Sequence, residues 1–200
     1  IRPEIRQYLI ESDQDEEPFS RAARSLVYQR AKGQEDNRPF GTRLRVYDAG
    51  YAWVTHSVVP VEIEDTDFRV QIGGKDCKQP YSASVFNISA MSFGSLSGNA
   101  IQALNTGAKM GGFAHDTGEG SVSRYHKEGG GDLIYQVASG YFGARAADGA
   151  FDPDKFRATA TLDQIKMIEL KLSQGAKPGH GGMLPASKIT PEIAEARGIP

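Results

Sequence analysis

The sequence predicts an α/β chain. Residues 81–200 read as the first half of a (β/α)8 TIM barrel, and residues 1–80 as a helical and short-strand lead-in. Three observations predict this. In residues 167–184, Ile168, Leu170 and Leu172 alternate with Glu169 and Lys171, the period of a strand. That strand runs into a loop where Gln174, Lys177 and His180 are spaced by four glycines and a proline, and glycine lets a backbone approach a ligand closely. From residue 81 onward, strand–loop–helix units recur, which implies parallel strands with helical crossovers. Polar groups at the strand C-termini fit the loops that build a barrel site. A doubly wound sheet competes, because it also places ligands at strand carboxyl ends. The chain begins at Ile1 without a methionine and ends at Pro200 just after a helical pattern, so it reads as part of a longer protein.

In chain order, Ser20 is an N-cap for a helix that Gly33 stops. The acidic run 13–17 reads as a solvated linker. Residues 43–47, 52–59 and 68–72 read as short strands, and 61–70 as a hairpin with 64–67 at its tip. A strand over 84–89 leads to a helix capped by Ser97, with Ile101, Leu104 and Ala108 on one face and Gly111-Gly112 at its end. Strands follow over 113–116 and 133–138, then a helical segment over 152–158 leads to the strand over 167–172. Thr190-Pro191-Glu192 starts a last helix that stops at Gly198. In a barrel, Ile168, Leu170 and Leu172 would face out, while Glu169 and Lys171 face in.

Composition excludes several classes. The 200 residues are 39% hydrophobic and 24% charged, which is globular rather than disordered. A net charge of −2 argues against phosphate-driven nucleic-acid binding. One cysteine, Cys77, excludes an internal disulfide and a cysteine-only metal cluster within this chain. No run of eighteen apolar residues spans a membrane. His115, His126 and His180 lack metal-ligand spacing, so no metal site is expected. Neither a G-x-G-x-x-G fingerprint in its proper setting nor a P-loop is present.

What remains is a set of polar loops without an obvious acid–base pair, which suits a cofactor that brings its own chemistry. Lys171 inside a barrel needs negative charge nearby, either Glu169, a phosphate or an anionic cofactor. Gln136 offers both a donor and an acceptor, as the edge of a heterocyclic imide requires. Backbone amides of Ala90, Met91 and Ser92 lie at a strand end, where a flat ring could sit.

Four stretches carry a resemblance. They are Ala90-Met91-Ser92-Phe93-Gly94-Ser95, Thr117-Gly118-Glu119-Gly120, residues 136–143 (QVASGYFG) and residues 169–182 (ELKLSQGAKPGHGG). In order and spacing they resemble the FMN-binding synthase domain of glutamate synthases, and most of all its shorter stand-alone members. The resemblance implies a barrel holding FMN and a reaction that reduces the 2-imino acid formed from 2-oxoglutarate and ammonia to L-glutamate. It implies cofactor-binding roles for Ala90, Met91, Ser92, Gln136 and Lys171. It implies catalytic roles for Lys171, Glu119 and Lys177, and substrate contacts for Gln174, Lys177 and His180.

The resemblance further implies an electron donor, either ferredoxin or reduced pyridine nucleotide through a partner. It implies an iron–sulfur cluster with ligands outside this chain, a homo-oligomer, and a cytoplasmic location in which a tether upstream of Ile1 would be the membrane link. The chain departs from the large glutamate synthases at His180, Met183 and Tyr141, where they carry Glu, Gln and Arg. The changes at Met183 and Tyr141 favour the alternative of another 2-oxo, imino or hydroxy acid as substrate. A half-barrel without catalysis is the non-enzyme alternative.

Overall fold

The computed structural model describes residues 19–35, 45–64, 67–172 and 184–199. The chain divides into two compact units, Ile1–Pro60 and Val61–Pro200. In the first, helix α1 spans Arg21–Ala31. The Ser20 hydroxyl accepts from the Ala23 amide at 3.2 Å, as expected of its N-cap. Among the described residues 45–60 there is no strand, so the strands expected over 43–47 and 52–59 are not formed there. Tyr51 and Trp53 stack at 6.1 Å, but Val54 and Val58 stay exposed. A β-prone run becomes a strand only when it finds a ladder partner, and these residues have none among the described residues.

The second unit opens with an antiparallel hairpin of β1 (Arg69–Ile72) and β2 (Tyr81–Ser84). The hairpin expected over 61–70 is therefore displaced along the chain. Its described first limb, 61–64, is not a strand. Pairing with β2 wins because it buries Ala83 and lets the Arg69 guanidinium donate to Ser82 O at 2.6 Å and Gly112 O at 2.9 Å.

The strand expected over 84–89 is split. Ser84 ends the hairpin, while Ile88 makes a lone parallel bridge to His115. Asn87 causes the break. Its amide nitrogen donates to Ser84 O and its carbonyl oxygen accepts from the Ala114 amide, so its side chain replaces ladder bonds.

Helix α2 (Gly98–Gly111) follows, with Ser97 as N-cap and Gly112 at its end. Then come β3 (His115–Asp116), α3 (Arg124–Glu128), β4 (Leu133–Val137), α4 (Pro153–Ala160), β5 (Ile165–Leu170), a 3-10 turn (Ala186–Lys188) and α5 (Pro191–Arg197). Strands β3, β4 and β5 form a parallel sheet in that order, and Ile88 extends it beside β3. Thus the four segments expected to be parallel neighbours lie in their expected order, though the first contributes one residue. A bulge at Lys166 shifts the β4–β5 register, so that Leu133 pairs with Ile165 but Ile134 with Met167.

One face of the sheet meets helices. Leu133, Tyr135, Val137 and Ile165 form a buried cluster with Phe156 of α4. The opposite face carries Asp116, Gln136 and Glu169. Ile168, Leu170 and Leu172 turn outward with the first set but remain 44%, 67% and 86% exposed. Helix α5 does not cover them. Its Ile193 packs on Phe93 and Ile101 instead, over the loop that follows Ile88.

A second fixture holds α2 against the start of β4. Asn105 is fully buried, and its Oδ1 accepts from the Gly131 amide at 2.9 Å. A Cβ at Gly131 would lie 2.6 Å from Asn105 O, so only glycine permits this approach. Asn105→Ala would strand the buried Gly131 N–H, which costs about 1–3 kcal/mol. Urea unfolding should show a correspondingly lower midpoint with an unchanged slope.

Candidate functional site

Segments from several parts of the second unit meet at the C-terminal edge of the sheet. They line a cavity of about 580 Å³. Ala90, Met91, Ser92, Glu119, Gln136 and Lys171, singled out in the sequence, all line it. Gln174, Lys177 and His180 lie outside the described residues. Phe142 and Arg197 also line the cavity and were not singled out. Arg197 sits in the last turn of α5, 104 residues from Phe93, whose carbonyl it contacts, and no local pattern distinguishes it from a helix-terminal surface arginine.

The loop of Met91 and Ser92 is gripped from two sides. The Met91 amide donates to Asp116 O at 3.1 Å, continuing the ladder beyond Ile88. The Met91 carbonyl accepts from His126 Nε2 at 3.0 Å. The other ring nitrogen, Nδ1, accepts from the Ser123 amide at 3.2 Å and contacts the Ser123 hydroxyl at 2.8 Å. A ring nitrogen that accepts a backbone N–H carries no proton, so the proton sits on Nε2. Ser123 and His126 form a reciprocal cap at the start of α3. The sequence gives no ordinary signal for that five-residue helix, because a histidine at the third position replaces the usual glutamate or glutamine.

Gly118 completes the loop's seat. Its φ is 64°, and a Cβ there would lie 2.5 Å from Ser92 Oγ and 2.8 Å from Ser92 N. The loop after β3 can therefore lie against the Met91–Ser92 backbone only with glycine at this position.

The charged groups are paired differently from the expectation. Lys171 Nζ lies 3.5 Å from Glu119 Oε1, so its partner is Glu119 rather than Glu169. Glu169 accepts a short hydrogen bond from the Gln136 amide nitrogen. The two residues are register partners on adjacent strands, which places their side chains together, whereas Lys171 lies two residues beyond, at the mouth. Arg197 donates to Phe93 O at 3.3 Å and lies 5.1 Å over the Phe142 ring. Burial pulls its guanidinium below its usual value, and Glu119 opposes that. Tyr141, in contrast, is not among the cavity-lining residues. It meets Phe151 edge-on at 5.7 Å. Among the described residues, no group of three or more His, Cys, Asp or Glu could hold a metal ion.

The matches with known proteins fall on these segments. The model of the conserved region in glutamate synthase matches residues 40–200. The chain belongs to the glutamate synthase family. It is 32% identical to the glutamate synthase large subunit-like protein YerD of Bacillus subtilis, over all of this chain and 45% of that protein. It is 32% identical to a glutamate synthase large subunit-like protein of Rhizobium meliloti, over 85% of this chain and 37% of that one. It is 38% identical to the archaeal-type glutamate synthase [NADPH] of Thermotoga maritima, over 68% of this chain and 24% of that one. The chain thus spans less than half the length of these relatives. As a member of this family it is related to oxidoreductases. Among the described residues, no helix is long and apolar enough to cross a membrane.

His115 and His126 pack at 5.2 Å on the helix-covered side of β3, and both are fully buried. Burial pushes each imidazole down to about 4, with His126 adding to the effect on His115 and the Met91 carbonyl opposing it on His126. Folding therefore favours the neutral rings. Their contribution is fully present above the ordinary value near 6.5 and is lost as pH falls through it towards about 4. Neither nitrogen of His115 has a hydrogen-bond partner among the described residues. His115→Phe should raise the melting temperature more at pH 5 than at pH 8, because it removes a ring that must charge when unfolded. Thermal scans at the two pH values check this.

Proposed function

We propose that the cavity is the flavin and substrate site of an FMN-dependent oxidoreductase, which reduces the 2-imino acid formed from 2-oxoglutarate and ammonia to L-glutamate. The observation that carries this reading is convergence. Six residues from four separate sequence stretches, all of which the family likeness assigns to one flavin site, line one cavity. The residues also suit a flavin. Among the described residues the buried Gln136 carbonyl oxygen has no partner, as an acceptor awaiting an N–H would be. Lys171 brings a cation to the same mouth, and the Met91–Ser92 backbone presents a flat, firmly held edge. When bound, FMN would supply the hydride.

In this reading Gln136 and Lys171 hold the pyrimidine edge, while Ala90, Met91 and Ser92 lie along the ring. Glu119 and Lys177 serve the imine chemistry, and Gln174, Lys177 and His180 contact the substrate. Arg197 adds a second cation where a substrate carboxylate would need one. The loss of an arginine at Tyr141 then matters little, since Tyr141 packs on Phe151. Met183 in place of glutamine is what favours the second reading, another 2-oxo or imino acid as substrate.

Residues 81–200 would form the first half of a barrel that the intact protein completes, with 1–80 leading into it. Helices on one face of the sheet and polar groups on the other support a barrel over a doubly wound sheet, which has helices on both faces. An electron donor such as ferredoxin or a reduced pyridine nucleotide, an iron–sulfur cluster held outside this chain, and a cytoplasmic homo-oligomer complete the proposal.

The intact protein should purify with flavin absorbance, and its reduced flavin should reoxidise on adding 2-oxoglutarate and ammonia. Reoxidation by a different 2-oxo acid alone would favour the second reading, and a colourless protein that takes up no FMN would reject both. Lys171→Met should make the flavin harder to reduce. If about 1–2 kcal/mol of the gross Coulomb attraction survives desolvation, the potential becomes about 20–40 mV more negative. An unchanged potential with a lowered melting temperature would mean that Lys171 only balances Glu119.

A further inference from the structure

The polar face of the sheet carries a row of three side chains, Asp116 on β3, Gln136 on β4 and Glu169 on β5. Both of the others bear on Glu169. The Gln136 amide nitrogen donates to it, and the strand registers place the Asp116 carboxyl on the same face of the sheet, close enough for the two acids to influence each other. Two carboxyl groups so placed favour the state in which one of them holds a proton. Asp116 is the one placed to hold it. It is 3% exposed, and one of its oxygens, Oδ1, already accepts from the Gly118 amide at 2.7 Å.

The third member gives the row a direction. Gln136 is 3% exposed and lines the cavity, and its Oε1 has no partner among the described residues. An ionised carboxylate only accepts, so Glu169 dictates which end of the amide turns towards it. The carbonyl end is left for whatever occupies the cavity.

We infer that Asp116 and Glu169 share one proton and act as a positioning pair, turning Gln136 so that its carbonyl oxygen is offered to an N–H donor of the bound ligand. This rests on the flavin reading, in which the donor is the imide N–H of the pyrimidine edge. The pair touches no ligand itself and acts through Gln136.

The surroundings make the pair sensitive to pH. From β5, Glu169 and Lys171 face Asp116. From the loop after β3 comes Glu119, already paired with Lys171, and from α5 comes Arg197, which Glu119 influences. His115 and His126 lie on the other side of β3 and are neutral above about pH 5. Burial pushes Asp116 up to about 7, with the Gly118 amide opposing, Glu169 adding and Lys171 opposing. The raised value means that the contribution of Asp116 to folding is fully present below about 4 and is lost as pH climbs through about 7. Above that, two carboxylates repel, Glu169 is driven off Asp116, and its hold on Gln136 loosens.

The test compares dissociation constants of the intact apoprotein for FMN and for 3-deaza-FMN, whose C–H replaces the imide N–H. At pH 6 the protein should prefer FMN by about tenfold to a hundredfold, the cost of leaving a buried acceptor unmatched. At pH 8.5 the preference should fall several-fold. Asp116→Asn keeps a neutral donor to Glu169, so its preference should stay high and flat with pH. Glu169→Leu removes the director, and its preference should fall towards unity at both pH values. Glu169→Gln, which is isosteric and can face Gln136 either way, should lower the preference in part, and it replaces the leucine variant if that one does not fold. A preference unchanged in the Glu169 variants overturns the positioning role, and a wild-type preference independent of pH overturns the shared proton. Equal wild-type affinity for the two flavins overturns the inference while leaving the flavin reading intact. Failure to bind either flavin overturns the flavin reading itself.

Discussion

The backbone and side chain of Asp116 together hold the site in register. Its amide donates to Ile88 O at 2.9 Å, and its carbonyl accepts from the Met91 amide at 3.1 Å. Its side chain accepts from Gly118 and shares a face of the sheet with Glu169. One residue thus ties the loop before α2 and the loop after β3 to a single point. The sheet is short here, since β3 has two residues, so few other ladder bonds exist to do this. A site assembled from loops needs such a fixed point, because loops alone hold side chains less tightly than strands do.

Opposed tendencies sit back to back on β3. The helix-covered side holds two imidazoles that burial keeps neutral, and the polar side holds a carboxyl group that burial also keeps neutral. Low dielectric disfavours charge of either sign. The consequences for stability run in opposite directions with pH, because one set must gain a proton to become charged and the other must lose one. Between about 4 and 6.5 the two partly cancel.

Much of the framework is legible in the sequence because it is local. Ser20, Ser97 and Thr190 announce helix starts, Pro191 fixes a first turn, and Ile168, Leu170 and Leu172 give a strand its outward face. The order of the parallel segments follows from that punctuation. The failures are non-local. The 61–70 pattern lost to β2 because β2 offered ladder partners to Arg69–Ile72, and the 84–89 strand broke because Asn87 satisfied ladder groups with its own side chain. In the site, Gln136 and Lys171 could be read from strand period and family likeness, whereas Arg197 depends on how α5 folds back over Phe93. The partner of Lys171 depends on a loop conformation that Gly118 permits, and no periodicity encodes it.

The bulge at Lys166 separates two parts of β5 that differ in their tolerance of length change. Before it, Ile165 pairs with Leu133 beneath a turn over 161–164, and an added or lost residue there can be absorbed by the same irregularity. After it, Glu169 stands opposite Gln136 with nothing to take up slack. A single deletion between Met167 and Leu170 would bring an aliphatic neighbour opposite Gln136 and turn the carboxylate to the other side of the sheet. Lineages that diverge by insertion and deletion can therefore vary the entrance to this strand freely, while its exit can change only by substitution.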